Sequence, residues 1–217
     1  MARIDAFQLR KTIPNEEFDY TLLSSVLSQY SGLRQKIHEL MRAGVITRVK
    51  KGLYVFGPEY NQAPVCKEVL ANLIYGPSCI SLEYALAFHG LIPERVETIT
   101  SVTPKKDKEF NTPLGRFTYR YSGLEKYAVG IEQVWIDRTH PVLMASMEKA
   151  VCDYVVLNKV PLFSEHQEAR DFLEGDLRMD REHWKRFDLN ALRRLNKVYC
   201  SKNIERISEA LEHGGGR

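Results

Sequence analysis

Between residues 29 and 57 the chain carries Arg34, Lys36, Arg42, Arg48, Lys50 and Lys51 against one carboxylate, Glu39. That is an excess of five positive charges in a protein whose formal net charge is only +3. Side chains of these types suit the recognition of a polyanion. Lysine and arginine neutralise phosphates, arginine forks onto guanine, and glutamine matches adenine through paired hydrogen bonds. Arg34, Gln35 and His38 are therefore expected to read base edges, with Ser31 and Lys36 holding phosphates. Arg42 is either a phosphate contact or solvated. Arg48, Lys50 and Lys51 are expected to lie along the backbone or in an adjacent minor groove.

Such residues act together only if regular elements present them on one side. Leu33, Ile37, Leu40 and Met41 recur at helical period, so residues 31–43 are expected to form an amphipathic helix. Ser31 is an N-cap residue type and Gly44 a usual stop. At about 100° per residue, Gln35, His38, Glu39 and Arg42 point away from the apolar stripe, with Arg34 and Lys36 on its flanks. Val45, Ile46 and Thr47 then begin a strand, residues 53–56 return it, and the turn between carries Lys50, Lys51 and Gly52. Upstream, residues 4–12 read as a first helix and residues 20–27 as a second, capped by Asp19. Helix, short turn, helix and basic hairpin spell a winged helix-turn-helix, which places its second helix in the major groove. A solvated helix followed by an ordinary basic hairpin is the plainer alternative.

The wider chain has 217 residues, 44% hydrophobic and 27% charged, the composition of a globular protein of one or two domains. The expected class is α+β. A DNA-binding unit spans 1–58, a linker with Gly57, Pro58 and Pro64 follows, a mixed α/β unit ending in helices spans 64–213, and 214–217 form a disordered tail. Within the second unit, residues 65–74, those after Ser81 and those from Ser146 to 158 read as helices. Residues 98–103, 115–121 and 127–136 read as strands, with 104–108 a charged loop. Three helical pieces follow at 165–174, 181–198 (broken near Asp188) and 202–212. No apolar run reaches the ~18 residues of a membrane span, and the first residues lack a signal peptide's apolar core. A soluble cytoplasmic protein without a membrane partner is expected. Cys66, Cys79, Cys152 and Cys200 stand apart among apolar neighbours and are expected to be buried thiols, with no metal site and no cofactor.

Enzyme chemistry finds no motif to stand on. No Asp or Glu is followed two residues later by Lys, and neither a P-loop, a Rossmann glycine pattern nor Gly-x-Ser-x-Gly is present. Glu83, His89, Glu148, Lys149 and Asp153 are the polar residues that tempt a catalytic reading. Glu148 is accounted for by the positive end of its helix and His89 by the negative end of its own. The expectation is that the chain is not an enzyme.

Several stretches in order resemble the AbiEi-type antitoxins, the regulator half of a bacterial type IV toxin–antitoxin pair of the abortive-infection kind. They are Arg48-Val-Lys-Lys-Gly-Leu-Tyr-Val55; residues 74–94 with Ser81, Glu83 and His89; residues 98–102 with the later 112–117; Ala145-Ser-Met-Glu-Lys-Ala-Val-Cys-Asp153; and the helical end with Tyr199 and Lys202. The resemblance implies an autorepressor of its own operon that counteracts a nucleotidyltransferase-like toxin without a stable complex. A single small module covers roughly 600–1,000 Å² of DNA, so an inverted-repeat operator bound by two monomers or a weak homodimer is expected. Two other readings stay open: a module that binds a toxin directly, and a stand-alone regulator with no toxin.

Overall fold

In the computed structural model, residues 6–214 are described; Ile4 and Asp5 of the expected first helix and the last three residues of the expected tail lie outside them. The chain begins with α1 (Ala6–Thr12), β1 (Glu17–Asp19), α2 (Tyr20–Val26), α3 (Leu33–Arg42), β2 (Ile46–Lys50) and β3 (Leu53–Phe56). Asp19 caps α2 as expected, its carboxylate accepting the Leu22 amide at 2.8 Å. The N-cap of α3 is Gly32 rather than Ser31, and no side chain caps that end. Ser31 lies one residue too early, because the first helical bond runs from the Lys36 amide to the Gly32 carbonyl. Gly44 follows the helix with φ +69°, a left-handed conformation that glycine adopts without strain.

The strands form a small antiparallel sheet in the order β1-β3-β2. Its central strand is buried on both faces, and the two faces serve different cores. Tyr54 and Phe56 join Leu9, Ile13, Phe18, Leu23, Leu27, Ile37 and Leu40 in the first core. Leu53 and Val55, with Val49 of β2, point the other way into the core of the remaining chain. Period-two alternation thus makes this hairpin a shared wall rather than a free extension.

The second part comprises α4 (Lys67–Ile74), β4 (Cys79–Ile80), α5 (Leu82–Phe88), β5 (Ile99–Thr103), β6 (Lys108–Thr112), β7 (Gly115–Tyr121), α6 (Leu124–Ala128), β8 (Ile131–Trp135), β9 (Pro141–Ala145) and α7 (Met147–Leu157). It is completed by α8 (His166–Asp171), running on into a π-helical turn (Phe172–Asp176), a 3-10 helix (Arg181–Arg186), α9 (Leu189–Tyr199) and α10 (Lys202–Gly214). The class is α+β, with a mixed six-stranded sheet in the order β6-β7-β5-β4-β9-β8. Tyr119 and Arg120 are consecutive on β7 and so face opposite ways. The Tyr119 hydroxyl donates to the Ala71 carbonyl of α4 at 2.7 Å, and Arg120 donates to the Leu157 carbonyl of α7 at 2.9 Å. Helices therefore cover both faces, and α9 packs on α7.

Some expectations need correction. Residues 127–136 do not form one strand: Tyr127 is helical, and Gly130 (φ +70°) separates α6 from β8. The charged stretch after Pro104 ends in the edge strand β6, whose polar side chains face solvent. Gly214 closes α10 instead of beginning a tail. Cys66, Cys79 and Cys152 are buried, but Cys200 is exposed. It caps α9 in a left-handed conformation and so leaves the helix's apolar face. Among the described residues, no helix is long and apolar enough to cross a membrane.

Candidate nucleic-acid interface

Helix α3 is held by its apolar stripe. Ile37 and Leu40 are buried in the first core, and Leu33 and Met41 pack at its margin. The opposite face stands open: Gln35, His38, Glu39 and Arg42 are exposed, as is Arg34 on the flank. Glu39 is engaged by its own helix, accepting from the Gln35 amide and the Lys36 ammonium, each at 3.3 Å. Lys36 is half-buried and also lies 5.5 Å from the centre of the Tyr30 ring, a cation–π contact. The outer face therefore combines two arginines, a histidine and an amide. Ser31 is exposed in the turn before the helix.

The hairpin divides its cations. Arg48 is exposed and pairs across the ladder with Tyr54, whose hydroxyl burial pushes above its ordinary pKa. Val49 faces the second core by the same alternation, and the register with β3 shifts between Arg48 and Lys50. Lys51 is exposed beside Gly52, which takes φ +84° in the turn. Lys50 goes elsewhere. Its ammonium donates to the Ile74 carbonyl at the end of α4, and burial, then the nearby charge of Lys105, holds its pKa below the usual lysine value. Lys105 donates to the Gly76 carbonyl and lies over the Tyr75 ring. Sequence reading places Lys50 with Lys51 at the tip; it does not show that Lys50 already has a partner in the second unit. Nor does it connect the Lys105-Lys106 run with the hairpin, since the link passes through residues 74–76.

Two adjacent carboxylates fasten this unit to the next. Glu16 accepts from Arg10 at 2.7 Å and from the Gln62 and Ala63 amides at 3.0 Å. Glu17 accepts the Cys66 amide and approaches His140, whose other ring nitrogen meets Asp137 at 2.6 Å. The Cys66 thiol, desolvated there, is pushed up to about 12 and stays protonated. No spacing in the sequence marks these residues, because their partners are some 46 to 49 positions away at the linker.

The residues that tempt a catalytic reading each tie elements together. Asp153 and Lys149 are wholly buried, 3.3 Å apart. Asp153 also accepts from the Ser81 hydroxyl at 2.7 Å and the Tyr199 hydroxyl at 2.5 Å, and Lys149 donates to the Lys126 carbonyl. Burial and the Asp153 charge push the Tyr199 phenol far above its normal range. Ser81 occupies the N-cap of α5, yet its hydroxyl serves Asp153 and not the helix. Glu148 accepts the Asp188 amide at 2.9 Å, and His89 meets the Ala145 carbonyl at 2.8 Å. Glu83 accepts from Asn158 at 3.2 Å on the surface. Neither a protein-family model nor a curated protein matches the chain.

Proposed function

We propose that the chain is a sequence-specific binder of double-stranded DNA, a winged helix-turn-helix repressor that acts on its own operon as an antitoxin. One observation carries the DNA reading. The exposed Gln35, His38 and Arg42 stand opposite the buried Ile37 and Leu40 on one helix, with the exposed Arg34 on the flank. That helix precedes a hairpin with exposed Arg48 and Lys51. Docked in a major groove, the N-terminal half of α3 brings Arg34, Gln35 and His38 to base edges. Ser31 and Lys36 face phosphates, and the hairpin meets the flanking backbone. The antitoxin role, and the nucleotidyltransferase-like toxin it opposes, rest on the resemblance to AbiEi-type antitoxins alone.

The test is a mobility shift of the full chain on the DNA upstream of its own gene, with scrambled DNA as control, at 50 and 200 mM salt. Selective binding that weakens steeply with salt is the expected result. Equal binding to both DNAs, or none to either, would overturn the repressor reading and leave toxin co-expression as the test of the antitoxin role.

A further inference from the structure

One side of the hairpin tip meets the second unit. The Lys50 ammonium reaches the Ile74 carbonyl, and the Lys105 ammonium reaches the Gly76 carbonyl two residues later. Lysines from two different units thus sit side by side at the C-terminal end of α4, where unsatisfied carbonyls favour cations. The Lys105 charge, after burial, lowers the Lys50 pKa.

The 104–107 loop is fixed at its root. Thr103 donates its hydroxyl to the Pro77 carbonyl at 2.7 Å and accepts the Lys105 amide at 3.3 Å. The Asp107 carboxylate is turned back to the sheet, accepting the Tyr121 amide at 2.6 Å and lying 3.7 Å from Arg120. Lys106, between them, is exposed. The exposed charge of the loop is therefore positive where Lys105 adjoins Lys50, the neighbour of the exposed Lys51.

We infer that the loop between β5 and β6 is a second phosphate-contacting element, in which Lys106 and Lys105 continue the track begun by Lys51, so that the second unit touches DNA directly. The inference rests on the DNA reading above. It reassigns Lys50 as well: this lysine is the strut that seats the hairpin on α4, and Lys106 supplies the phosphate contact beyond it. A tract of DNA leaving the groove occupied by α3 then meets cations from both units, and the backbone footprint extends past the winged helix.

Salt dependence of DNA affinity for the full chain tests this. Each lost phosphate contact reduces the slope of log K against log salt by about 0.9, so the affinity ratio between 50 and 200 mM salt falls about 3.5-fold per contact. Lys106→Ala should show that reduction and weaken operator and random DNA alike, and Lys105→Ala/Lys106→Ala should show more. Lys197→Ala, at an exposed lysine of α9, should leave the slope unchanged. A wild-type chain that binds no DNA sinks the functional reading itself. Normal wild-type binding with an unaltered slope in the double variant sinks only the loop contact. An equal reduction in Lys197→Ala also overturns it, by showing that overall charge and not a local contact sets the slope.

Discussion

Glu17 of β1 accepts the backbone amide of Cys66 at 2.6 Å, so the first sheet is tied to the residue that precedes α4. The Glu17 side chain is 2% exposed, and its second oxygen lies 3.7 Å from His140. Burial is the largest influence on this carboxyl and raises its pKa; the Cys66 amide and the His140 charge pull the other way.

The sign of the pH effect follows. A carboxyl with a raised folded-state pKa contributes stability that is fully present below its unfolded value, 4.5, and is lost as pH rises through the folded value. At neutral pH the folded state therefore holds Glu17 at a disadvantage relative to the unfolded chain. Glu17→Gln removes the charge and keeps an oxygen for the Cys66 amide. Relative to wild type, the variant should be more stable to urea at pH 8, with the advantage shrinking toward pH 4. A variant that is less stable at pH 8 would mean that the pairing with His140 outweighs burial.

The Lys149–Asp153 pair calls for a different experiment, because both groups are completely buried and hydrogen-bonded. Removing one partner strands the other's charge, which costs about 3–5 kcal/mol in comparable settings. Lys149→Met should lower the urea-derived stability by that order. Adding Asp153→Asn should recover part of the loss, since the amide oxygen still accepts from Ser81 or Tyr199 without a charge. No recovery in the double variant would locate the damage in lost packing around α7 rather than in the stranded carboxylate.

Arg34 is exposed on α3. Arg34→Ala should accordingly change folding stability by less than about 0.5 kcal/mol. On the proposed reading it weakens the cognate site by roughly 1–3 kcal/mol and relaxes one base position. Binding to the operator and to random DNA, measured side by side, separates the roles. Equal losses on both would make Arg34 a phosphate contact.

Local signals account for what the sequence makes legible. The stripe of Ile37 and Leu40, the Asp19 cap, the Ser146 cap whose hydroxyl accepts the Lys149 amide, and β7 at 115–121 all depend on neighbours a few positions away. Strands β1 and β4 are too short for any period to show. Their existence depends on distant partners: Glu17 opposite Val55, Cys79 opposite Val102, Ile80 opposite Met144. The same reason hides the destination of Lys50. Its partner lies 24 residues ahead, and a lysine bound for a helix end looks in sequence like a lysine bound for phosphate. Leu53 and Val55 alternate with Tyr54 and Phe56 in a way that reads simply as a buried strand. Only the packing assigns the two faces to separate cores.

That double-sided hairpin must leave α3 at a fixed angle, and the turn between them, at Gly44, is met by Gly57 just after β3. The Gly57 amide donates to the Val45 carbonyl at 2.9 Å. A Cβ on Gly57 would sit 1.8 Å from the Gly44 carbonyl oxygen, which is backbone and cannot rotate aside. Gly44 has the opposite character: its φ of +69° is strained for other residues, but nothing lies within 4 Å of a Cβ there. Gly44→Ala should therefore cost the ~1–2 kcal/mol of a left-handed alanine. Gly57→Ala should cost more, because the end of β3 has to part from the end of α3. If the groove and the flanking backbone are read together, the displaced hairpin also loses DNA affinity in Gly57→Ala beyond what its stability loss predicts, at temperatures where the variant is still folded. Urea unfolding gives the first comparison and operator titration the second. A Gly57→Ala variant that is no less stable than Gly44→Ala would show that the turn relaxes around the added methyl. The helix and hairpin would then be hinged at this point rather than held.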